Sequence, residues 1–401
     1  EKTMTDKLTR RDFAKATGIG SAAVAAGLSV PSSQAEAQER TTVSDSPELV
    51  PGMAAQGKGI KCYVESDYAP LKAALVGNPS AVMIPDPDTY EMANLFAHET
   101  DEFNAYLRKH KGTNLKDSDP KTWEKMAMES DALAKAYRDN GVRLIRNESG
   151  ETPEGVINYN LGWSKQKNMS LYGQSAFEVI GHCLVQLMEV SMSQTEIVHR
   201  EALIEIFKND PEAAWLAMPP LYPAIEQKMP GPLLSPGDPL IFPKKVVLGI
   251  GVSDPSHIKD LSKPRSSGDE FGGELLRRML QPYGWEVETV YFDSKLTYHV
   301  DCLVAVLEEG LLAMHKGGLF TPLPKEFQDW EVIDVPLEEH KNGFPNNEPL
   351  GGKKLVMPAG CPKMVKTLEK RGWTCVEVPY KTIWDTFHSG IHCSTAALWR
   401  E

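Results

Sequence analysis

The stretch ELLRRMLQPYGWEVETV, residues 274–290, runs a helix into a glycine and emerges as a short strand. Its charged residues Glu274, Arg277 and Arg278 fall on one helical face, Gly284 suits a helix C-cap, and the residues after Trp285 alternate as a strand does. The same order recurs in ALAKAYRDNGVRLI (132–145), LPKEFQDWEVIDV (323–335) and MVKTLEKRGWTCVEV (364–378), with Gly141 and Gly372 at the cap position of the first and last. Together these segments form an internal repeat of helix–turn–strand units.

Between them lie further apolar strand candidates: LKAALVG (71–77), FEVIG (177–181), KVVLGIGV (245–252), CLVAVL (302–307) and KLVMP (354–358). Units that each contribute strands and one helix, and that cannot bury a sheet face alone, are expected to assemble around a shared axis. An open doubly wound α/β sheet is the alternative. No G-x-G-x-x-G follows a strand, and LGIGV falls short of that fingerprint, so no dinucleotide site is expected.

The 401 residues are 41% hydrophobic and 24% charged, which supplies apolar material for a large core. A net charge of -12, without a basic stripe interleaved with aromatics, argues against nucleic acid or anionic lipid as a partner. Small-molecule chemistry or a protein partner remains. The segment TRRDFAKATG (9–18), the uncharged run 16–30 and the A-x-A formed by Ala35 and Ala37 read as a twin-arginine export signal over residues 1–37. A membrane anchor is the alternative, but about 15 weakly apolar residues fall short of the ~20 that cross a bilayer. On this reading the mature protein is periplasmic, with no membrane span and with the export machinery as a partner. Residues 38–60 read as a polar linker and 61–401 as a single catalytic domain. None of the six cysteines forms a CxxC pair, so neither a metal nor another cofactor is expected, and at most one disulfide.

Three segments carry candidate chemistry. Cys393 stands in HSGIHCSTAALWRE (388–401) among small polar residues, where a thiol is accessible and surrounded by donors. A thiol of reference pKa about 8.5 needs a base to act near neutrality. His392 is adjacent, but on extended backbone it would face the other way. YHVDCLVAVL (298–307) sets His299 and Asp301 two apart, which on extended backbone puts imidazole and carboxylate on one face, although for this motif alone a buried histidine satisfied by its neighbours is the default reading. In LLSPGDPLIFPKKVVLGIGVSD (233–254), Asp238 sits in a tight turn before a hairpin, and an ordinary turn aspartate is the plain alternative.

Taken as a set, these segments resemble the amidinotransferase and arginine-deiminase superfamily, the penteins, over roughly residue 62 to the end. YAPLKAALVGNP resembles the family's opening strand, SPGDPLIFPKKVVLGIGVSD its E-G-G-D turn and following strand, HVD its H-x-D element, and SGIHCSTAALWRE its terminal G-G-x-H-C segment. MEVSMSQTEIVHREAL (188–203) points to the glycine amidinotransferase-like branch. The resemblance implies a five-bladed α/β propeller with a central site, a small-molecule substrate, and a homodimer as an allowed assembly. It implies Cys393 as nucleophile on an amidino carbon, His299 as acid and base, Asp238 as a further catalytic group, and Asp301 as a substrate contact. Two departures stand out. The first acid of E-G-G-D falls on Ser235, and an Arg-Asp pair before the "VIG" strand falls on Gln174 and Ser175. These three positions are expected to line the substrate, and their neutrality implies a reacting group less cationic than that of arginine. A hydrolase of the same fold and a binding protein on a degenerate enzyme fold are the alternatives.

Overall fold

The computed structural model describes residues 52–79, 82–84, 86–88, 101–147, 171–174, 177–187, 199–219, 232–388 and 390–401. The expected export signal, and Ser175 among the expected substrate contacts, lie outside the described residues.

The first sheet contains β1 (Tyr63–Val64), β2 (Leu71–Val76) and, after the 20-residue helix Pro120–Asp139, β3 (Arg143–Ile145). Four three-stranded sheets follow: β4 (Phe177–Ile180), β5 (Cys183–Gln186) and β6 (Ala214–Ala217); β7 (Pro239–Phe242), β8 (Lys245–Val252) and β9 (Glu286–Asp293); β10 (Val304–Glu308), β11 (Leu311–Met314) and β12 (Glu331–Asp334); β13 (Glu348–Gly351), β14 (Lys354–Pro358) and β15 (Thr374–Val378). In each, the first two strands form an antiparallel hairpin and the third lies parallel to the second. The parallel return needs a crossover, and a helical segment supplies it. Finally β16 (Thr395–Arg400) comes back to the first sheet and lies between β1 and β2, antiparallel to β2. Since β2 is parallel to β3, the first sheet then has the internal order of the other four. The fold is α/β, built on five units of one plan.

Central strands are the most apolar because both faces are covered. All residues of β8 after Lys245 are buried, and apolar residues of β2, β4, β5, β7 and β8 meet in one cluster through Leu75, Val179, Leu184, Ile241 and Leu248. Helix Glu270–Leu280 presents Leu276 and Leu280 to that cluster, capped by the Asp269 carboxylate accepting from Gly272 N–H. Gly141, Gly284 and Gly372 all have positive φ at the ends of their helical segments.

Three details differ from the sequence reading. In LPKEFQDWEVIDV the helical segment shrinks to a single 3₁₀ turn, Lys325–Phe327, because Pro324 leaves too few residues before β12. Cys302 belongs to the 3₁₀ turn Val300–Cys302, and β10 starts at Val304. The polar stretch before residue 60 ends in a short helix, Met53–Gly57, packed on helix Arg200–Asn209, with Met53 and Ile60 buried. All six cysteines are free thiols. Among the described residues, no helix is long and apolar enough to cross a membrane.

Candidate active site

The turn just ahead of each unit's first strand faces one place. Gln174 precedes β4, Ser235 to Asp238 precede β7, His299 to Cys302 precede β10, Asn346 precedes β13, and Cys393 precedes β16. Hydrogen bonds tie these turns together. Gln174 N–H donates to the Cys393 carbonyl (3.2 Å), and its Nε2 donates to the Pro236 carbonyl (3.2 Å); Asp301 N–H donates to the Gly237 carbonyl (3.1 Å).

Cys393 is buried at 8% exposure, in the turn formed by residues 391–394. Asn346 holds that turn from both ends: its carbonyl accepts from Ile391 N–H (3.1 Å), its Oδ1 accepts from Cys393 N–H (3.0 Å), and its Nδ2 donates to Cys393 Sγ (3.1 Å). Gly390 makes this possible, since a Cβ there would lie 2.1 Å from Asn346 Oδ1. The same Nδ2 donates to Cys302 Sγ (3.2 Å), and the two sulfurs are 3.9 Å apart. A hydrogen bond from Cys302, with His299 adding to it, brings the Cys393 thiol down to about 7 against burial and the Asp301 charge. Cys302 is raised well above the usual thiol range, first by that shared bond and then by burial.

His299 Nε2 and Ser235 Oγ share a 2.8 Å hydrogen bond, and ligand atoms of His299, Asp301, Cys302 and Cys393 all lie within 4.8 Å of one another. Gly237 lets the His299 ring in, because a Cβ there would sit 2.6 Å from ring atoms. Asp238 is fully buried. Its carboxylate accepts from Ser235 N–H (3.0 Å) and from the Ser267 hydroxyl, so it holds the turn that presents Ser235 to His299. Cys393, His299, Asp301, Ser235 and Gln174 thus converge, with Asp238 behind Ser235.

His392 enters the same pocket, contrary to the expectation that it faces away. Residues 391–394 form a turn rather than extended chain, so adjacent side chains share a side. Its Nδ1 bonds Asp301 Oδ2 at 2.9 Å while Asp301 Oδ2 is 3.6 Å from Cys393 Sγ. Burial alone would lower His392, but the Asp301 bond and the charges of Glu348, Asp301 and Asp67 outweigh it and hold the ring protonated. Burial likewise opposes the Asp301 charge, yet His392 and His299 keep its carboxyl below the usual value.

Further buried acids lie around these turns. Glu178 on β4 accepts from Gln174 Nε2 at 2.8 Å, and burial pushes its carboxyl up to about 8. Asp67, beside β2, is raised to about 6 by burial, with His392 opposing the rise. Glu348 at the start of β13 pairs with the buried Arg400, and its other oxygen, 3.9 Å from His392 Nε2, has no hydrogen-bond partner. Asn346, Glu178, Glu348 and Asp67 were missed. Applying the repeat's register to the position ahead of each first strand finds Asn346; the acids carry no local motif.

Glu178 gives the fold a pH dependence of definite sign. A carboxyl raised from 4.5 to about 8 on folding stabilises fully below its unfolded value, and that contribution is lost as pH rises through 8. Glu178→Gln is therefore expected to flatten the fall in stability between pH 5 and pH 8 by a few kcal/mol. Urea midpoints at the two pH values measure it, and an unchanged slope would assign the loss to other groups.

No protein-family model and no curated protein matches the chain. Solved structures do match in fold. The chain is similar to SxtG, an amidinotransferase of Microseira wollei from the saxitoxin biosynthetic pathway (14% identity, 85% of this chain and 97% of that one, TM-score 0.63). It is equally similar to the inosamine-phosphate amidinotransferase of Streptomyces griseus (16%, 85% and 97%, 0.63). It also resembles the N-terminal domain of ArgZ, a cyanobacterial arginine dihydrolase (14%, 82% and 97%, 0.53). At these identities the likeness establishes the fold.

Proposed function

We propose that the protein is a cysteine-dependent enzyme acting on a carbon–nitrogen bond of an amidine- or guanidine-like small molecule. The observation that carries this reading is the convergence of Cys393, lowered to about 7, with His299 and Asp301. A binding module has no use for a lowered thiol beside a histidine, and the amidinotransferases and the dihydrolase of like fold favour this class of reaction. Closure of the five units as blades of the propeller expected from the sequence, with these turns at its axis, is part of the proposal, and five sheets of one plan favour it.

In the proposed reaction the Cys393 thiolate adds to the amidino carbon, and His299 protonates the departing amine as the carbon–nitrogen bond breaks. The product is an S-amidino cysteine. His299, now neutral, takes a proton from an acceptor amine or from water, whose attack returns the thiolate. Asn346 Nδ2 steadies the sulfur in both directions. Asp301 and Gln174 line the substrate, and Ser235, held by Asp238, orients His299. Asp301, and Asp67 above about pH 6, supply the negative charge that Gln174 and Ser235 do not, so a singly charged amidinium is accommodated, while Glu178, pushed up to about 8, offers a neutral carboxyl. A less cationic reacting group is the narrower alternative. Export by the twin-arginine machinery to the periplasm is part of the proposal, and cell fractionation checks it.

The test incubates the full chain with panels of amidines, guanidines and ureas and follows intact mass. A mass increase of one amidino group, mapped to Cys393 and discharged by an amine or by water, is the expected result, and the discharging agent separates transferase from hydrolase. If every panel leaves Cys393 unmodified and unconsumed, the binding reading replaces this one.

A further inference from the structure

Cys302 forms no bond to substrate in the reaction above, where it only donates to the Cys393 sulfur, yet it stands beside the proposed nucleophile with a geometry of its own. His299, Asp301, Cys302 and Cys393 offer one nitrogen, one oxygen and two sulfurs, all within 4.8 Å of one another. Tetrahedral zinc with Zn–S near 2.3 Å and Zn–O near 2.1 Å requires a sulfur–sulfur edge of about 3.8 Å and a sulfur–oxygen edge of about 3.6 Å. Here Cys302 Sγ and Cys393 Sγ are 3.9 Å apart, and Cys393 Sγ lies 3.6 Å from Asp301 Oδ2. Two edges of the tetrahedron are thus already set.

The surroundings suit the same occupant. Asn346 Nδ2 donates to both sulfurs, at 3.1 and 3.2 Å, as outer groups do around thiolate ligands. His392 bonds Asp301, which orients that carboxylate in turn. Two thiolates with an imidazole select a soft divalent cation over magnesium or calcium. Among the described residues the other cluster of this kind, His182, Asp210 and Glu212, lacks sulfur, and Asp210 already accepts from Cys62 and Glu212 N–H.

The geometry points to a tetrahedral site for a zinc-class cation formed by His299, Asp301, Cys302 and Cys393. Each thiol gives its proton to solvent as its sulfur takes the metal. A metal-bound Cys393 has its lone pair engaged and His299 is withdrawn from proton transfer, so the cation holds the proposed enzyme inactive until it is removed. This consequence rests on the proposed function; the metal site itself does not.

Cobalt(II) added to the metal-free full chain reads out the site without any turnover. One equivalent should produce sulfur-to-cobalt absorption in the near ultraviolet and intense visible bands of a tetrahedral ion, and zinc should displace both. Cys302→Ser should lose most of the sulfur absorption, while His182→Ala should retain it. Asn346→Ala should weaken binding about 10- to 100-fold. Circular dichroism establishes that each variant is folded. Should Cys302→Ser fail to fold, zinc protection of both Cys302 and Cys393 from alkylation in the unaltered protein provides the same answer. Weak octahedral bands, unchanged sulfur absorption in Cys302→Ser, or alkylation unaffected by zinc would each overturn the site. A cobalt site in a protein that turns over no amidine would leave the metal inference standing and remove only the enzymatic one.

Discussion

Cys393→Ala is expected to lower kcat/KM on the identified substrate by roughly 10⁴-fold or more, because the neighbouring thiol, Cys302, is raised well above the usual thiol range and is a poor substitute in forming the proposed S-amidino intermediate. The fold should survive. The side chain loses only its sulfur, the turn at 391–394 keeps the Asn346 carbonyl and Oδ1 as its acceptors, and Asn346 Nδ2 retains Cys302 Sγ as a partner. Steady-state kinetics and a melting curve together make the test. Near-full activity in a folded alanine variant would remove the covalent mechanism.

The largest effect on stability is expected at Arg400. Its guanidinium is 1% exposed, pairs with Glu348, and donates to the carbonyls of Ala69 (2.6 Å) and Pro349 (2.8 Å), so it joins β16 to the chain beside β2 and to β13. Arg400→Met keeps most of the volume and leaves a carboxylate buried without its cation, which costs about 3–5 kcal/mol. Urea denaturation measures it. A loss under about 1 kcal/mol would mean that the pair is not what holds these sheets together.

The repeat was legible because helix, glycine and strand follow one another within about 15 residues, and local signals survive at that range. KVVLGIGV and KLVMP were found because central strands are apolar on both faces. The unit ending in β6 was harder to see. Its helix passes into Asp210 and Pro211 where three of the other units have glycine, and the cap signal is absent although the Asp210 carboxylate tightens the turn. At the site, Cys393, His299 and Asp301 were readable as reactive types in unusual settings. Glu178 was not, because within FEVIG it is one polar residue on a short strand, and only the fold carries it to Gln174. His392 was misjudged through an assumed backbone: a turn, unlike a strand, turns neighbours the same way.

The insertion of β16 between β1 and β2 sets an order of events during synthesis. A ribosome makes every acid around the site, His299 and Asn346 before it reaches Cys393, and β1 and β2 wait for the strand that joins them, more than 300 residues downstream. Until then both carry an unpaired edge, the condition that recruits chaperones or other chains. Cys393 and the closing strand arrive together. An unfinished chain has neither, so the proposed reactivity would begin only when the first sheet is complete.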